Sequence, residues 1–291
     1  MKLIETHTVP ELDTPQRLSD YAVGVFLKLS TKKGIKKAIS KGLIKVDERR
    51  GTTGKFIKGG EVITLHEGKN NKPTIDLPLE IIFEDDFLAV VNKPAGMIVS
   101  GNQKRTLENA LPSNLEKSKQ ADKLQRALPV HRLDHSTSGL ILIAKTRAAQ
   151  TKLSQMFGDR KIKKTYNAIT IGKSEEQGEI DSSIKDKKAL THFRKIQSIE
   201  SEKYGHLNLM ELNPHTGRRH QLRIHMFENG TPILGDKRYF VKGKISQGSG
   251  LYLCSTGLSF THPITENPIN LNLELPKKFV KIFGGNALEE E

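Results

Sequence analysis

The chain has 291 residues, and its 47 Lys and Arg against 33 Asp and Glu give a formal net charge of +14 at pH 7. With 35% hydrophobic and 27% charged residues it has the composition of a soluble globular protein, and its longest apolar run, residues 140–144, is far short of the roughly 20 residues of a transmembrane helix. A single cysteine excludes internal disulfides and cysteine-based zinc sites, while the excess positive charge predicts a polyanionic partner, most commonly nucleic acid.

Positive charge is concentrated in residues 28–58, which hold eleven Lys or Arg and two acids. Five apolar residues at helical spacing predict a first helix before and within this segment: Leu18, Ala22, Val25, Phe26 and Leu29. A second short helix is predicted around residues 35–39, ending near Gly42, and strands follow at 43–46 and 61–65. Two small helices and a hairpin with a basic surface can present cations to a phosphate backbone, although a solvated basic face is the ordinary alternative.

Residues 15–68 also resemble an S4 RNA-binding domain. The matching runs are RLSD (17–20), KKAI (36–39), KGLIKV (41–46) and GEVI (60–63). The resemblance implies a small α+β domain that binds RNA through six lysines: Lys32, Lys33, Lys36, Lys37, Lys41 and Lys45.

The composition around residue 70 is that of a linker, because residues 68–78 are polar and contain Pro73 and Pro78. We therefore predict a linker at 69–80 and a larger domain at 81–286. The flanking residues 1–14 and the acidic residues 287–291 are predicted to be tails. Because the first ten residues lack the features of a secretory or transit peptide, we expect a cytoplasmic protein.

Strands dominate the second domain. They are predicted at residues 81–83, 87–91, 140–144, 165–171, 207–212 and 251–254, with helices at 147–157 and 219–228. Strands and helices that do not alternate regularly predict an α+β fold. Residues 101–128 are polar and weakly periodic, so we expect a mobile surface excursion there. Residues 145–164 carry seven Lys or Arg against Asp159 and form either an RNA track or a solvated helix face.

The turn HRLDHSTSG (131–139) feeds directly into the apolar strand 140–144 and so places polar side chains at the edge of a core. A carboxylate there, Asp134, is either a structural ion pair or turn cap, or a desolvated anion that a guanidinium keeps charged for chemistry. Candidate arginines follow in TGRRHQLRIH (216–225), where Arg219 and Arg223 share a helix face by i, i+4 spacing.

Taken together, HRLDHSTSGLILIAKT (131–146), KKTY (163–166) and TGRRHQLRIH (216–225) resemble the RluA-type family of pseudouridine synthases. Four further segments match in order: EDDFLAVVNKPAGM (84–97), ALTHFRK (189–195), GDKRYF (235–240) and LSFTHP (258–263). The resemblance implies a mixed, mainly antiparallel central sheet with the active cleft across its middle. It also implies isomerisation of uridine within RNA, with Asp134 as the catalytic carboxylate, Tyr166 lining the pocket and Arg223 pairing with the aspartate.

The reaction so implied breaks the N1–C1′ bond of a uridine, turns the base and joins C5 to C1′, without redox change and therefore without a cofactor. The target uridine must leave its stack to reach such a pocket. Residues of the two motifs are predicted to bind it: His131, Arg132, Thr137, Arg219, His220 and Gln221. Arg132 either fills the space left by the flipped base or contacts a phosphate, or it braces the turn.

The chain departs from the family pattern in two places. His135 and Ser136 stand where many relatives have a basic residue followed by Asp, and Arg219 stands where Thr is usual. Neither change removes the aspartate, the tyrosine or the QLR arginine, so the resemblance still implies activity, with altered RNA contacts near the pocket.

Two other functions compete with a synthase. A catalytically silent RNA-binding or ribosome-assembly factor would bind RNA without altering uridine, and a glycosidase would use the same carboxylate to release the base by hydrolysis. A metal site is not expected, because neither histidine pair in the two motifs, His131 with His135 or His220 with His225, has an HExxH-type carboxylate between its members, and hydrogen bonding explains these histidines as well. We expect a monomer whose partner is ribosomal or transfer RNA, with no membrane and no obligatory protein partner.

Overall fold

The protein consists of two units, residues 1–71 and 72–291, in a computed structural model that describes residues 2–27, 29, 31–68, 72–241, 243, 248 and 250–283. The S4-like domain predicted at 15–68 lies within the first unit, and the described part of the domain predicted at 81–286 lies within the second. The predicted acidic tail, 287–291, lies outside the described residues.

The first unit combines short strands with two helices. Its elements are β1 (Leu3–Thr8), β2 (Gln16–Arg17), α1 (Leu18–Tyr21), α2 (Lys32–Ser40), β3 (Ile44–Val46), β4 (Arg49–Arg50), β5 (Phe56–Ile57) and β6 (Val62–His66). One sheet has the order β1-β6-β3-β4, and β2 pairs with β5 separately. Leu18, Phe26, Ile35 and Ile63 are buried in the core between these elements.

The tail predicted at residues 1–14 is wrong for its first half. Strand β1 pairs antiparallel with β6, from Thr8 opposite Val62 to Leu3 opposite His66. Ile4 packs against the core of this unit. Six residues of mixed polarity carry a weak strand signal by themselves, and the free edge of β6 supplies the hydrogen bonds that order them.

The first predicted helix is much shorter than its apolar spacing suggests. Helix α1 ends at Tyr21, and the chain turns through Gly24, whose φ is +84°. Helix α2 forms as predicted, with the Thr31 hydroxyl accepting a hydrogen bond from the Gly34 amide at 3.1 Å.

Helix α2 buries one face and exposes the lysines on the other. Its buried residues are Ile35, Ala38 and Ile39. Of the predicted RNA-binding residues, five are exposed and one, Lys45 in β3, is half-buried; the exposed ones are Lys32, Lys33, Lys36, Lys37 and Lys41. Lys32 also forms an exposed ion pair with Asp20 at 2.6 Å.

A ten-stranded sheet organises the second unit and confirms the α+β class. Its strands are β7 (Glu80–Glu84), β8 (Leu88–Lys93), β9 (Lys123–Pro129), β10 (Ser138–Thr146), β11 (Lys163–Ile171), β12 (Gln177–Ile180), β13 (Thr191–Ser201), β14 (Gly205–Pro214), β15 (Leu253–Thr261) and β16 (Pro268–Asn272). The main order is β12-β13-β14-β11-β15-β10-β8-β7, while β16 pairs with β15 and β9 with β10. Most neighbours are antiparallel, but β10 and β15 run parallel where Gly139 lies opposite Ser255, so the sheet is mixed as predicted.

Helices cover both faces of this sheet. They are α3 (Leu107–Asn114), α4 (Arg147–Gly158), α5 (Gln221–Glu228), α6 (Lys277–Val280) and the 3-10 turn Lys281–Phe283. Strand β10 alternates between two cores, with Ile141 and Ile143 in one and Leu140 and Leu142 in the other. A strand buried on both faces explains the continuous apolar run in the sequence. No helix in the described part of the chain is long and apolar enough to cross a membrane.

The mobile excursion predicted at residues 101–128 is wrong. Helix α3 starts at the Thr106 cap and buries Leu107 and Leu111, and β9 pairs with β10. The helical pattern is weak in the sequence because α3 has only eight residues, contains Pro112 and lies in a window dominated by polar residues.

The predicted linker is also attached to the second unit over its described part. The Asn114 amide donates to the Leu77 carbonyl at 2.9 Å and the Ile75 amide donates to the Asn109 carbonyl at 3.0 Å. Leu77 and Leu79 pack against the core, which explains why a proline-rich segment is ordered there.

Candidate active site

An open cleft of about 1000 Å³ lies in the second unit and brings two distant motifs together. Its wall includes the turn before β10, the start of β11 and the turn that leads into α5. Tyr166 of β11 lies opposite Ser255 of β15, which in turn lies opposite Gly139 of β10. The parallel pairing therefore places the 131–139 turn beside the strand that carries the tyrosine.

Asp134 is held at the cleft by its own turn and by a buried lysine. The Thr137 amide donates to the Asp134 carbonyl at 3.1 Å. Lys93 at the end of β8 is fully buried and donates to the carbonyls of Met97 at 2.8 Å and His135 at 3.5 Å. Burial lowers the pKa of Lys93 to about 8, and the charge of Asp134 opposes that shift.

Arg223 supplies the guanidinium beside the carboxylate. Its Nη1 lies 3.5 Å from Oδ2 of Asp134, and the two side chains are 10% and 18% exposed. Arg223 also donates from Nε and Nη2 to the two oxygens of Asp236, at 2.7 and 2.8 Å. Burial opposes its charge, but the hydrogen bonds and charge of Asp236, together with Asp134, raise the pKa of Arg223.

His220 completes the polar cluster around Asp134. It precedes α5 with a φ of +59°, and its Nε2 lies 3.8 Å from Oδ1 of Asp134. Its Nδ1 is 3.0 Å from the Tyr239 hydroxyl, and Tyr239 also lies under the Arg223 guanidinium. Burial lowers the pKa of His220, with the charge of Asp134 acting in the opposite direction, so the imidazole is neutral near pH 7.

Tyr166 lies in the cleft wall with 8% of its surface exposed. Burial raises the pKa of Tyr166 to about 12, the Ser255 hydroxyl lowers it in part, and the charge of Asp134 raises it further. The phenol is therefore neutral at physiological pH and can donate or relay a proton, but it is not a standing phenolate base.

His131 and Thr137 lie in the wall of the same cleft. His131 accepts a hydrogen bond from the Leu142 amide at 2.9 Å, and its ring lies 4.7 Å from that of Phe157. Burial lowers the pKa of His131 to about 3, so the ring is neutral. These contacts indicate that His131 ties the turn to β10 in addition to lining the cleft.

The structure alters the expectation for two predicted substrate-binding residues. Helix α5 begins at Gln221, so Arg219 lies in the preceding turn, exposed at the cleft, and does not share a helix face with Arg223. Gln221 is buried, and its amide accepts from the Thr216 hydroxyl at 2.6 Å and donates to the Leu190 carbonyl at 2.9 Å. Gln221 therefore holds the turn and has little capacity left for a substrate.

Arg132 is exposed at the cleft and has no hydrogen bond or ion pair with any residue that the structure describes. The alternative in which Arg132 braces the turn therefore receives no support from the described contacts. Its guanidinium is available to a ligand.

Sequence reasoning did not assign Lys93, Asp236 or Tyr239 to the site. A signal was present, because Lys93 lies in the NKPAG segment and the other two lie in GDKRYF, both of which match the family. Spacing could not reveal that Arg223 has two carboxylate partners.

These side chains combine three kinds of chemical group in one cleft. Asp134 provides a carboxylate with a charged neighbour, Tyr166 a neutral hydroxyl, and the buried residues Leu222 and Leu253 an apolar wall. Within the described residues, no group of three or more His, Cys, Asp or Glu is arranged to hold a metal ion.

Comparison with known proteins identifies the family. Residues 87–228 match the family model described as RNA pseudouridylate synthase. Ribosomal large subunit pseudouridine synthase D of Zymomonas mobilis is 34% identical over 250 residues, which cover 76% of each chain. Ribosomal large subunit pseudouridine synthase C of Rickettsia felis is 32% identical over 94% of this chain and 98% of that protein.

A solved structure, human RNA pseudouridylate synthase domain containing 4, superimposes with a TM-score of 0.56 and 25% identity, covering 69% of this chain and 90% of that one. These matches agree with the motifs and with the cleft that contains them. The chain belongs to the RluA-type family and is an RNA pseudouridine synthase, an isomerase that forms pseudouridine in RNA.

Proposed function

We propose that this enzyme isomerises specific uridines of large-subunit ribosomal RNA, with Asp134 as the catalytic carboxylate. The observation that carries the proposal is the 3.5 Å contact between Asp134 and Arg223 in the wall of the cleft. The relatives named for the large ribosomal subunit favour ribosomal over transfer RNA as the substrate.

Asp134 acts at the ribose of a uridine that has been flipped into the cleft. Its carboxylate assists cleavage of the bond from N1 to C1′, and the apolar wall holds the detached uracil while it turns so that C5 faces C1′. The bond from C5 to C1′ then forms, the proton leaves C5, and N1 gains a proton. The product has the same atoms as the substrate, so the reaction consumes no co-reactant.

Tyr166 relays the proton from C5. Because the pKa of Tyr166 is about 12, its hydroxyl passes its own proton on as it receives one, and a free phenolate does not accumulate. Arg223 remains charged throughout and stabilises the anionic form of Asp134.

Base flipping costs a few kcal/mol, which contacts to phosphates must offset. Arg132 and Arg219 are exposed at the cleft and supply such contacts. The S4-like unit adds the exposed lysines of α2, which bind further phosphates of the RNA backbone. We further propose that the enzyme acts as a monomer in the cytoplasm.

Asp134→Asn tests the proposal. The substitution should abolish pseudouridine formation in large-subunit ribosomal RNA while RNA affinity stays within about threefold, because Asp236 still holds Arg223. Mapping pseudouridine in total RNA from cells with and without the gene identifies the substrate. Wild-type turnover by the variant, or a missing mark only in transfer RNA, contradicts the proposal.

The two competing functions give different results in the same assay. A silent RNA-binding factor would leave every pseudouridine in place when the gene is removed. A glycosidase would release free uracil into the reaction mixture.

A further inference from the structure

A second cationic position lies in the cleft, away from the pair of Asp134 and Arg223. Lys164 and Tyr166 are two residues apart on β11, so their side chains leave the strand on the same face, and both line the cleft. Two residues of a strand span about 7 Å. The Lys164 side chain therefore enters the cleft beside that of Tyr166.

Lys164 differs from the other buried or half-buried lysines that the structure describes in the second unit, because they have partners and it does not. Lys93 donates to backbone carbonyls, Lys145 pairs with Glu84 at 2.6 Å, and Lys195 pairs with Glu176 at 2.7 Å. Lys164 is half-buried and has no hydrogen bond or ion pair with any described residue. A desolvated charge without a partner is unfavourable, which makes it a marker of a binding site.

The surroundings of Lys164 call for an anion from outside the protein. Burial lowers the pKa of Lys164, and no acidic group counters the shift, whereas the charge of Asp134 does act on Lys93 and Arg223. The charge of Lys164 in turn acts on His131, whose pKa is lowered by burial and then by Lys164. His215, which also lines the cleft, has a pKa lowered by burial and by His192; Glu179 opposes the shift, and Arg160 and Lys164 add smaller contributions.

We propose that Lys164 binds a backbone phosphodiester of the RNA strand that carries the flipped uridine. Lys164 lines the same cleft as Asp134 and Tyr166, and a phosphodiester is the anion that every RNA ligand brings into that cleft. The proposal rests on the proposed function only in that RNA occupies this cleft. A phosphate contact adds affinity but carries no sequence information, so Lys164 contributes to the affinity for the target strand and not to the selection of the target uridine.

Binding of a nine-residue oligouridylate to the full-length chain tests this assignment. Every residue of this probe is a uridine and none is stacked in a duplex, so the measurement is independent of the natural RNA. Lys164→Met should raise Kd about fivefold or more and reduce the slope of log Kd against log salt concentration by about 0.7, the loss of one phosphate contact to a single strand. Lys164→Arg, which keeps the charge, should stay within about twofold of the wild type.

Lys161→Met is the matched control, because it removes the same charge only three residues before Lys164. Lys161 is exposed, pairs with Asp159 at 3.9 Å and does not line the cleft. It should leave Kd within about twofold. The Tm of Lys164→Met should equal or exceed that of the wild type, since an unpaired charge is removed from a half-buried position.

Three results would overturn the proposal. They are an unchanged Kd and salt slope for Lys164→Met, an equal effect of Lys161→Met, and a fall in Tm that accounts for the lost binding. If removal of the gene left every pseudouridine of ribosomal RNA in place, that result would contradict the proposed substrate. It would not affect this comparison of binding constants.

Discussion

Arg223 donates to both carboxylate oxygens of Asp236 and only approaches Asp134, with distances of 2.7 and 2.8 Å against 3.5 Å. The Asp236 side chain is fully buried, and its Oδ1 also accepts from the Arg238 and Tyr239 amides. Asp236 therefore fixes the guanidinium, and Asp134 uses the charge that Asp236 holds in place. The arrangement leaves Asp134 free to move toward a substrate without dismantling the site.

This difference predicts unequal effects on stability. Arg223→Met and Asp236→Leu should each lower the free energy of unfolding by about 3 kcal/mol or more, because each strands a buried charge, and the double variant should lose less than the sum. Asp134→Asn should cost less than about 1 kcal/mol, because its contact is longer and partly exposed. Denaturant titrations of the four proteins measure these values, and additive losses for the buried pair would contradict the prediction.

Removal of the Tyr166 hydroxyl should affect the reaction and not the fold. Tyr166→Phe should slow single-turnover pseudouridine formation by about 100-fold or more, the usual size of a proton-transfer contribution. Tyr252→Phe, which changes a tyrosine that is buried but outside the cleft lining, is the matched control and should keep its rate.

The same tyrosine predicts the alkaline behaviour. Because the pKa of Tyr166 is about 12 in the folded protein, above the ordinary tyrosine value of 10.0, the stabilisation from Tyr166 is complete below pH 10 and is lost as the pH rises toward 12. The rate of the wild type should therefore not rise with pH below pH 10 in a way that depends on Tyr166. A rise in this range that disappears in Tyr166→Phe is not expected. Such a rise in the pH–rate profile would show that the phenolate is the working form.

His131 predicts an acid-sensitive fold. Burial lowers its pKa to about 3 in the folded protein, against an ordinary histidine value of 6.5, so the unfolded chain takes up a proton first as the pH falls. The contribution of His131 is complete above pH 6.5 and decreases below it, by at most about 1.4 kcal/mol per pH unit.

His131→Gln keeps an acceptor for the Leu142 amide but cannot titrate. Its free energy of unfolding should therefore fall less steeply than that of the wild type between pH 6 and pH 4. His135→Gln, at an exposed histidine, should follow the wild-type slope. Equal slopes for all three proteins would rule out a buried neutral His131.

Gly139 joins the turn that carries Asp134 to the centre of the sheet. Its φ is +108°, and a Cβ at this position would overlap the carbonyl oxygen of Ser255 on the parallel strand. Gly139→Ala should therefore lower the free energy of unfolding by about 3 kcal/mol or more. Gly158→Ala, at the end of α4 with no atom near the added methyl group, should be neutral or slightly stabilising. Thermal melts of the two variants and the wild type measure both effects.

Much of the sheet could be predicted from the sequence because its central strands have strong local patterns. The apolar run of β10 and the helix that starts at the Thr146 cap both formed where their residues indicate. The family resemblance then predicted a mixed sheet and the pairing of Asp134 with Arg223, which no spacing rule could supply.

The errors fall where tertiary contacts override local sequence. Helix α3 lies in a polar sequence window and is ordered by the burial of Leu107 and Leu111, and β1 is ordered by the edge of β6. Arg219 fails as a helix residue because His220 takes a left-handed conformation just before α5 begins. Asp236 has no periodicity that links it to Arg223, thirteen residues earlier, and only the folded chain shows them in contact.

The pairing of β1 with β6 has a practical consequence for making the protein. A shortened version that starts at residue 15, chosen on the assumption that the preceding residues are dispensable, would uncover a row of unused hydrogen-bonding groups along β6. Open edges of this kind recruit strands from other molecules and favour aggregation. An affinity tag is therefore better joined ahead of an intact N-terminal segment than substituted for it.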